Sequence, residues 1–369
     1  MNMQSPSDDK PILIFPAGMP RSLDYLARCQ REGRHAIGSS SLAYDVAKPL
    51  YPEWAHLPFV NAADFPAELA ALIEARGIAG IYTPNPVVWS FLNEHLPSIS
   101  PGVKLLNAWP VSEELAGYVA AEERAGELAA NGLALAHDHV EQPAMHPRAL
   151  AALFRHANVI PGMSDNEKIG ALYEIARRCP PGDLVEIGTA FGKSAFVLAN
   201  LARHYRLGKL LCIDPWQPEF VVQNDDGGLV DSCREKYDYD QALRVFEINL
   251  LPYSDGDVNY LRMPSFEAVE LYRAGTPVES PTFGQTRYQG GIALLHVDGN
   301  HSYESASQDV RQWSEFIVPG GWLVVDDYVW PYGDGPQRAG DDFLREHAAR
   351  IASAFVIGTA LFVQLAVPA

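Results

Sequence analysis

The chain has 369 residues, with 28 Lys and Arg against 46 Asp and Glu, for a formal net charge of −18 at pH 7. That length suffices for about two domains, and that charge leaves no electrostatic footprint for DNA, RNA or an anionic membrane. The 47% hydrophobic and 20% charged residues match an ordinary soluble globular protein, and no run of about twenty apolar residues is present to span a membrane. Cys29, Cys179, Cys212 and Cys233 show neither a CxxC pair nor zinc spacing. They read as reduced core thiols, and with a polar start at residues 1–10 that holds no apolar signal segment, the expected location is cytoplasmic.

In chain order, residues 11–16 hold Ile-Leu-Ile-Phe and predict a buried strand, 21–32 a helix ended by Gly33, and 35–39 a second strand. A helix follows over 65–76, with Leu69, Leu72 and Ile73 inward and Gly77 at its end. Residues 78–83 give a third strand stopped by Pro84-Asn85-Pro86, 87–96 a helix, and 103–106 a fourth strand. Alternating strands and helices predict a small parallel α/β domain over 1–110. Over residues 11–108 this pattern resembles the Rossmann-like domain that precedes the catalytic region of ATP-grasp enzymes. The loop after the first strand, Ala17-Gly18-Met19-Pro20, carries one glycine rather than a dinucleotide fingerprint, and no ATP-grasp catalytic domain follows. A docking or substrate-contacting module is therefore preferred to a nucleotide site.

Residues 111–136 are rich in Ala and Glu and read as a connecting helix, with a hinge near 137–147, so 111–150 forms a helical linker. Helices at 148–156 and 166–178 lead through Pro180-Pro181-Gly182 into a second domain, 151–369. Its strands fall at 184–188, 209–214, 257–262, 292–298, 321–326, 353–358 and 360–366, with helices between the first five. Only Gly358 and Thr359 separate the last two, which predicts a closing antiparallel hairpin. Loops of the length of 217–235 and 276–290 are usually functional or mobile, and both are expected as a lid over the carboxyl ends of the strands.

The centre of the second domain is 184–194, Leu-Val-Glu-Ile-Gly-Thr-Ala-Phe-Gly-Lys-Ser. Gly188 and Gly192 let the backbone turn and approach a ligand without a Cβ in the way. The helix that follows puts Leu198, Leu201, Ala202 and Tyr205 on one face and is expected to stop at Gly208. A strand, a glycine turn and a helix N-terminus suit a negatively charged or nucleotide ligand. A Walker loop needs four residues between its first Gly and Gly-Lys-Ser, and here there are three; the dinucleotide Gly-x-Gly-x-x-Gly is absent. What remains, Glu186-x-Gly188-x-x-x-Gly192, resembles motif I of class I S-adenosylmethionine (SAM) methyltransferases. That resemblance implies a seven-stranded Rossmann-like sheet, with the donor touching Glu186, Gly188, Thr189, Gly192 and Ser194.

Ligands of open α/β sheets bind beyond the carboxyl ends of the strands, so the strand tips carry the remaining candidates. Asp214, ending the second strand, can take the hydroxyls of a ribose, and Trp216 either shields the adenosine or is a surface-packing aromatic. Ser265 follows the third strand, where this fold contacts adenine. The fourth strand ends at Asp298, with His301 three residues on and Ser302 placed to cap a helix burying Ala306, Val310, Trp313 and Ile317. The fifth ends at Asp326-Asp327. Clustered carboxylates repel unless a cation or proton joins them, and an oxygen-rich cluster suits Mg²⁺; alternatively, Asp326 or Asp327 caps the next turn and His301 merely starts a helix. His296, in mid-strand, reads as a satisfied core histidine.

The set Glu186, Gly188, Gly192, Asp214, Asp298-x-x-His301 and Asp326-Asp327 is similar to the metal-dependent macrolide sugar O-methyltransferases and the related cephalosporin hydroxylase-like family, over about 158–330. The resemblance implies SAM and Mg²⁺, metal ligands among Asp298, Asp326 and Asp327, His301 as base with Asp298 beside it, a sugar, polyol-containing small molecule or glycan precursor as acceptor, and a homo-oligomer. Two alternatives remain: a nucleotide hydrolase, because Gly192-Lys193-Ser194 and Leu323-Val324-Val325-Asp326 mimic Walker A and B ends, and a scaffold that binds SAM without turnover.

Overall fold

The structure is a computed structural model that describes residues 10–133, 135, 141–223 and 228–367. The start of the expected hinge (137–140), part of the first long loop (224–227) and most of the polar start lie outside the described residues. The chain divides into two units, Met1–Val119 and Ala120–Ala369.

The first unit runs β1 (Ile12–Ile14), α1 (Pro20–Arg31), β2 (Ala36–Ser40), β3 (Glu53–His56), α2 (Phe65–Arg76), β4 (Gly80–Tyr82), α3 (Pro86–Ile99) and β5 (Lys104–Leu105). Its five strands are all parallel, in the order β3-β2-β1-β4-β5. Side chains alternate across the pleat. Ile12 and Ile14 pack with Leu26 and Cys29 on one face, and Leu13 and Phe15 with Phe65, Leu69 and Leu92 on the other. Both faces are covered, as parallel sheets require. Gly77 ends α2 in the left-handed conformation, φ 63°. β3 has no counterpart among the expected strands. It is a partly exposed edge strand, so its residues carry no buried apolar run to reveal it.

Helix α4 (Pro110–Asn131) is shorter than expected. The second unit continues with α5 (Pro147–Ala157), α6 (Asn166–Ala176), β6 (Asp183–Ile187), α7 (Lys193–Tyr205), β7 (Leu210–Ile213), α8 (Leu229–Arg234), α9 (Tyr239–Leu250) and β8 (Val258–Leu261). Then come α10 (Ser265–Arg273), β9 (Val278–Ser280), β10 (Gly284–Thr286), β11 (Ile292–Val297), α11 (Tyr303–Ser314), β12 (Ile317–Val325), α12 (Gly335–Glu346), β13 (Ile351–Ile357) and β14 (Ala360–Leu365). The seven-stranded sheet has the order β13-β14-β12-β11-β6-β7-β8. Its first five strands in sequence are parallel, and β14 lies antiparallel between β12 and β13, closing the sheet with the expected hairpin. Leu184, Leu210, Leu294 and Trp322 face α5, α6, α7 and α9, while Val185, Leu211, Leu295 and Leu323 face α10, α11 and α12. Strand order reverses between β6 and β11, which puts the ligand crevice of such a sheet at their carboxyl ends.

Four expectations change. Helix α7 ends at Arg206, itself left-handed (φ 53°), rather than at Gly208; Gly208 instead lets the chain pass against the Gly182 carbonyl. Ile317 opens β12 rather than extending α11. The segment 276–290 is not a lid. It folds into the β9–β10 hairpin, and Asn259 Nδ2 donates to the carbonyls of Val278 (3.1 Å) and Gly284 (2.9 Å). Tyr288 Oη donates to Leu210 O (2.8 Å), and the amides of Gln289 and Gly290 donate to Asp183, so the hairpin sits at the amino ends of β6, β7 and β8, away from the crevice. Cys29, Cys179 and Cys212 are buried free thiols as expected, but Cys233 is exposed. Among the described residues no helix is long and apolar enough to cross a membrane.

Candidate active site

The tips of β6 and β11 come together because one residue has no side chain. Gly188, at φ 79°, follows β6, and a Cβ there would fall on the backbone of Asp298 at the tip of β11. The ladder runs past the last residue of each strand: Asp298 N donates to Ile187 O (2.8 Å), Asp326 N to Val297 O (2.9 Å) and Gly188 N to Ile213 O (2.8 Å). Backbone pairing thus sets Asp214, Gly188, Asp298 and Asp326 side by side. Gly192 (φ 84°) turns the loop into α7 with Leu250 and Phe246 packed against its Cα.

The donor-side candidates are wired to each other. Asp214 Oδ2 accepts the amides of Thr189 (3.0 Å) and Ala190 (2.9 Å), and Oδ1 accepts that of Trp216 (2.8 Å). Burial pushes its carboxyl up despite these donors. A carboxylate has about four acceptor positions, so three amides leave one for a ligand, not the pair expected for both ribose hydroxyls. Glu186 does not reach the rim: it is fully buried, accepts from the Thr189 hydroxyl and meets His296 Nδ1 at 2.8 Å. Ser194 is buried in the first turn of α7.

Trp216 is neither an adenosine shield nor a surface aromatic. It is 1% exposed, packs on Phe246 and Tyr260, and its indole N–H donates to Ala190 O (3.0 Å). It holds the loop from beneath. Ser265 starts α10, and its hydroxyl is engaged by Asp309 of α11. Burial pushes the Asp309 carboxyl up to about 7. The Walker alternative loses its footing in the same geometry. Two loop amides that a phosphate would need already serve Asp214, and Lys193 Nζ lies at Gly162 O (3.4 Å).

The acceptor-side residues converge. One ligand atom each from Asp298, His301 and Asp327 lie within 4.8 Å of one another, and so do atoms of His296, Asp298 and Asp326. His301 Nε2 is 3.4 Å from Asp327 Oδ2 and 3.8 Å from Asp298 Oδ1. Both its ring nitrogens are buried without a hydrogen-bond partner, and Trp330 packs edge-on at 4.6 Å. Burial lowers its pKa to about 4, so the ring is neutral at pH 7 with a free lone pair, a weaker base than an ordinary imidazole until a negative charge or a reacting hydroxyl faces it. Ser302 caps α11, accepting from Ser305 N. Asp327 is held at φ 50° and its carboxyl is raised by burial. Asn300 Nδ2 donates to the carbonyls of Phe220 (3.1 Å) and Val222 (2.8 Å), which ties the described start of the first long loop to this rim.

A residue outside the sequence reading changes the electrostatics. Lys168 of α6 is 2% exposed, and its ammonium pairs with Asp326 Oδ2 and lies 3.8 Å from Asp298 Oδ2. Burial opposes charge on Asp326, but Lys168 and then His296 overcome it and hold the carboxyl below its usual range. Burial and the charge on Asp326 push Asp298 well up. His296 is not fully satisfied either: its Nε2 is buried without a partner, 3.8 Å from Asp326 Oδ2. Nothing local marks Lys168, because a Lys in a first helical turn is ordinarily solvated. Asp309 and the aromatic wall at Trp330 lacked a signal for the same reason.

The two clusters differ in fitness for a metal. Two unit charges 4 Å apart interact by about 4 kcal/mol at an effective dielectric of ~20, so a divalent ion beside the Lys168 ammonium meets roughly twice that in repulsion. Asp327 has no ammonium paired to it and feels Lys168 and Arg234 only through space, and ligand atoms of Asp298, His301 and Asp327 lie within 4.8 Å of one another, a spacing an octahedral Mg²⁺, ~4 Å across, can bridge.

Residues 185–328 match the family model described as a methyltransferase domain. Among solved structures the chain is similar to CalS11, a calicheamicin methyltransferase, at 17% identity and TM-score 0.41, covering 67% of this chain and 91% of that one. It is also similar to apo CalS11, described as a TDP-rhamnose 3'-O-methyltransferase (19%, 0.38, 67% and 93%), and to the O-methyltransferase NovP (17%, 0.37, 69% and 99%). With TM-scores below 0.5, these likenesses carry no weight for what this chain acts on. The family match begins at residue 185 and lends nothing to the likeness of the first unit to an ATP-grasp pre-domain. Within the second unit, residues 185–328 thus match a methyltransferase domain, and they lie on a seven-stranded Rossmann-like sheet closed by an antiparallel hairpin.

Proposed function

We propose that the chain is an O-methyltransferase that moves the methyl group of SAM to a hydroxyl of a sugar, polyol-containing small molecule or glycan precursor, with Mg²⁺ as its metal. The observation that carries this is the meeting, at one switch point, of a glycine turn, two outer carboxylates and a buried neutral imidazole. SAM lies against the 188–192 turn, and the remaining acceptor position of Asp214 takes one ribose hydroxyl. Asp298 and Asp327 would hold the metal, which when bound supplies a positive charge that favours ionisation of a hydroxyl and orients its neighbour. His301 accepts the hydroxyl proton, Trp330 and the loop tied down by Asn300 exclude water, and Lys168 keeps Asp326 ionised. The acceptor oxygen forms a bond to the methyl carbon as the carbon–sulfur bond breaks, giving the methyl ether and S-adenosylhomocysteine. The protein's main contributions are alignment and electrostatics.

The test is transfer of labelled methyl from SAM to a panel of sugar nucleotides and polyols, with EDTA and with Mg²⁺ restored. The reading expects label in a diol-bearing acceptor, suppressed by EDTA and recovered with Mg²⁺. Full transfer by metal-free protein would remove the metal from the reading, and SAM binding without transfer to any hydroxyl would favour the scaffold.

A further inference from the structure

Keeping Asp326 ionised does not by itself explain the place of Lys168. It sits in the first turn of α6, whose Asp165 cap accepts its backbone amide (2.7 Å). Its side chain turns inward to pair with Asp326 Oδ2, 3.8 Å from Asp298 Oδ2, and the unpartnered Nε2 of His296 lies 3.8 Å from that same Asp326 oxygen. The other Asp326 oxygen, Oδ1, is also buried without a partner. A long side chain has therefore been threaded into an acidic cluster already supplied with an imidazole, all inside the protein.

We propose that Lys168 is the resident cation of the inner half of this cluster. Its ammonium takes the position that a divalent ion would need between His296, Asp298 and Asp326, so Asp326 is not a metal ligand. A metal is confined to Asp298 and Asp327, on the side where His301 stands. Asp298 is shared between the two halves: Oδ2 faces the ammonium (3.8 Å) and Oδ1 faces His301 (3.8 Å). The fixed charge keeps that carboxylate pointed at the rim whether or not a metal is present. Lys168 is thus a positioning residue that sets which carboxylates bind metal and how many ions the cluster takes. This deepens the metal reading above and rests on it for the outer site alone.

The experiment counts Mn²⁺ bound to the full chain by electron paramagnetic resonance of the free ion, for wild type, D326N, D327N, K168R and K168M. The proposal expects one ion in wild type, D326N and K168R, with affinities within threefold, and at least a tenfold loss in D327N. K168M, with the inner half freed, should bind a second ion or bind at least tenfold tighter. Loss in D326N equal to that in D327N, or K168M indistinguishable from wild type, overturns it. Should K168M fail to fold, D326N against D327N decides. Binding to K168M but not to wild type would uphold Lys168 as the resident cation and defeat the metal reading for the native chain; no binding to either would defeat both.

Discussion

Both units place their first strand inside a run of parallel strands, with the next strands in sequence to one side and the later ones to the other, β1 between β2 and β4, β6 between β7 and β11. Their tips differ. In the first unit the polar groups beyond the strands are mostly satisfied locally: Ser22 donates to Pro16 O (2.6 Å), Tyr51 to Ala17 O (2.9 Å), and the Asn107 side chain pairs with both the amide and the carbonyl of Thr83. Of its buried side chains only the Ser39 hydroxyl lacks a partner among the described residues. In the second unit the tips carry Asp214, Asp298, Asp326 and Asp327, and His296, His301 and Asp326 hold buried atoms without partners. Unpaired buried polar groups are costly; the second unit holds others, at Asp183, Trp322 and Gln364 for example, but those of His296, His301 and Asp326 meet at one rim, where a ligand can pair with them. One architecture serves both; the chemistry lies in what the strand ends carry.

The sharpest way to break the comparison is at the glycine after each central strand. Gly188→Ala forces a Cβ onto backbone at positive φ, with no side chain to yield, and should cost several kcal/mol, seen as a large fall in thermal midpoint or loss of folded protein. Gly18→Ala meets only the Asp45 carboxylate, 2.7 Å away at the end of a side chain, and should cost about 1 kcal/mol or less. Equal losses would show that the two turns are equally constrained.

Next comes His301→Ala. Methyl transfer should fall by ~100-fold or more, while SAM affinity, measured by calorimetry, stays within about threefold, a margin of under 1 kcal/mol. Unchanged turnover would remove His301 from proton transfer.

The smallest expected effect is a slope. Asp309 has its pKa raised by burial to about 7 in the folded chain, against about 3.9 unfolded. Between those values the native state holds the extra proton, so its contribution is complete below pH 4 and is lost as pH rises through 7. Asp309→Asn should therefore gain thermal stability relative to wild type between pH 5 and 8, by at most ~1.4 kcal/mol per unit of pH. Parallel profiles would show that Asp309 titrates alike in both states.

Much of the fold was legible because its signals are local. Apolar runs marked β6 and β11, Gly77 marked the end of α2, and the Gly358-Thr359 turn marked the hairpin. β3 was not legible, since an exposed edge strand has no apolar run, nor was the docking of 276–290, which depends on partners such as Asp183 and Asn259 remote in sequence. At the site, Asp298, His301, Asp326 and Asp327 were readable from their position after strands. Burial is invisible to such reading, so Trp216 passed for an adenosine shield or a surface ring, and Glu186 for a rim carboxylate. Lys168 and Asp309 stayed hidden because each sits alone on its helix and gains meaning only from what faces it across the fold.

The central claim is that the 188–192 turn serves SAM and not a phosphate. Calorimetric titration of the full chain with SAM and, separately, with ATP and Mg²⁺ tests it directly. The account predicts one SAM per chain, weakened by Asp214→Ala, and no heat of binding from ATP. Saturable ATP binding with none for SAM would contradict it.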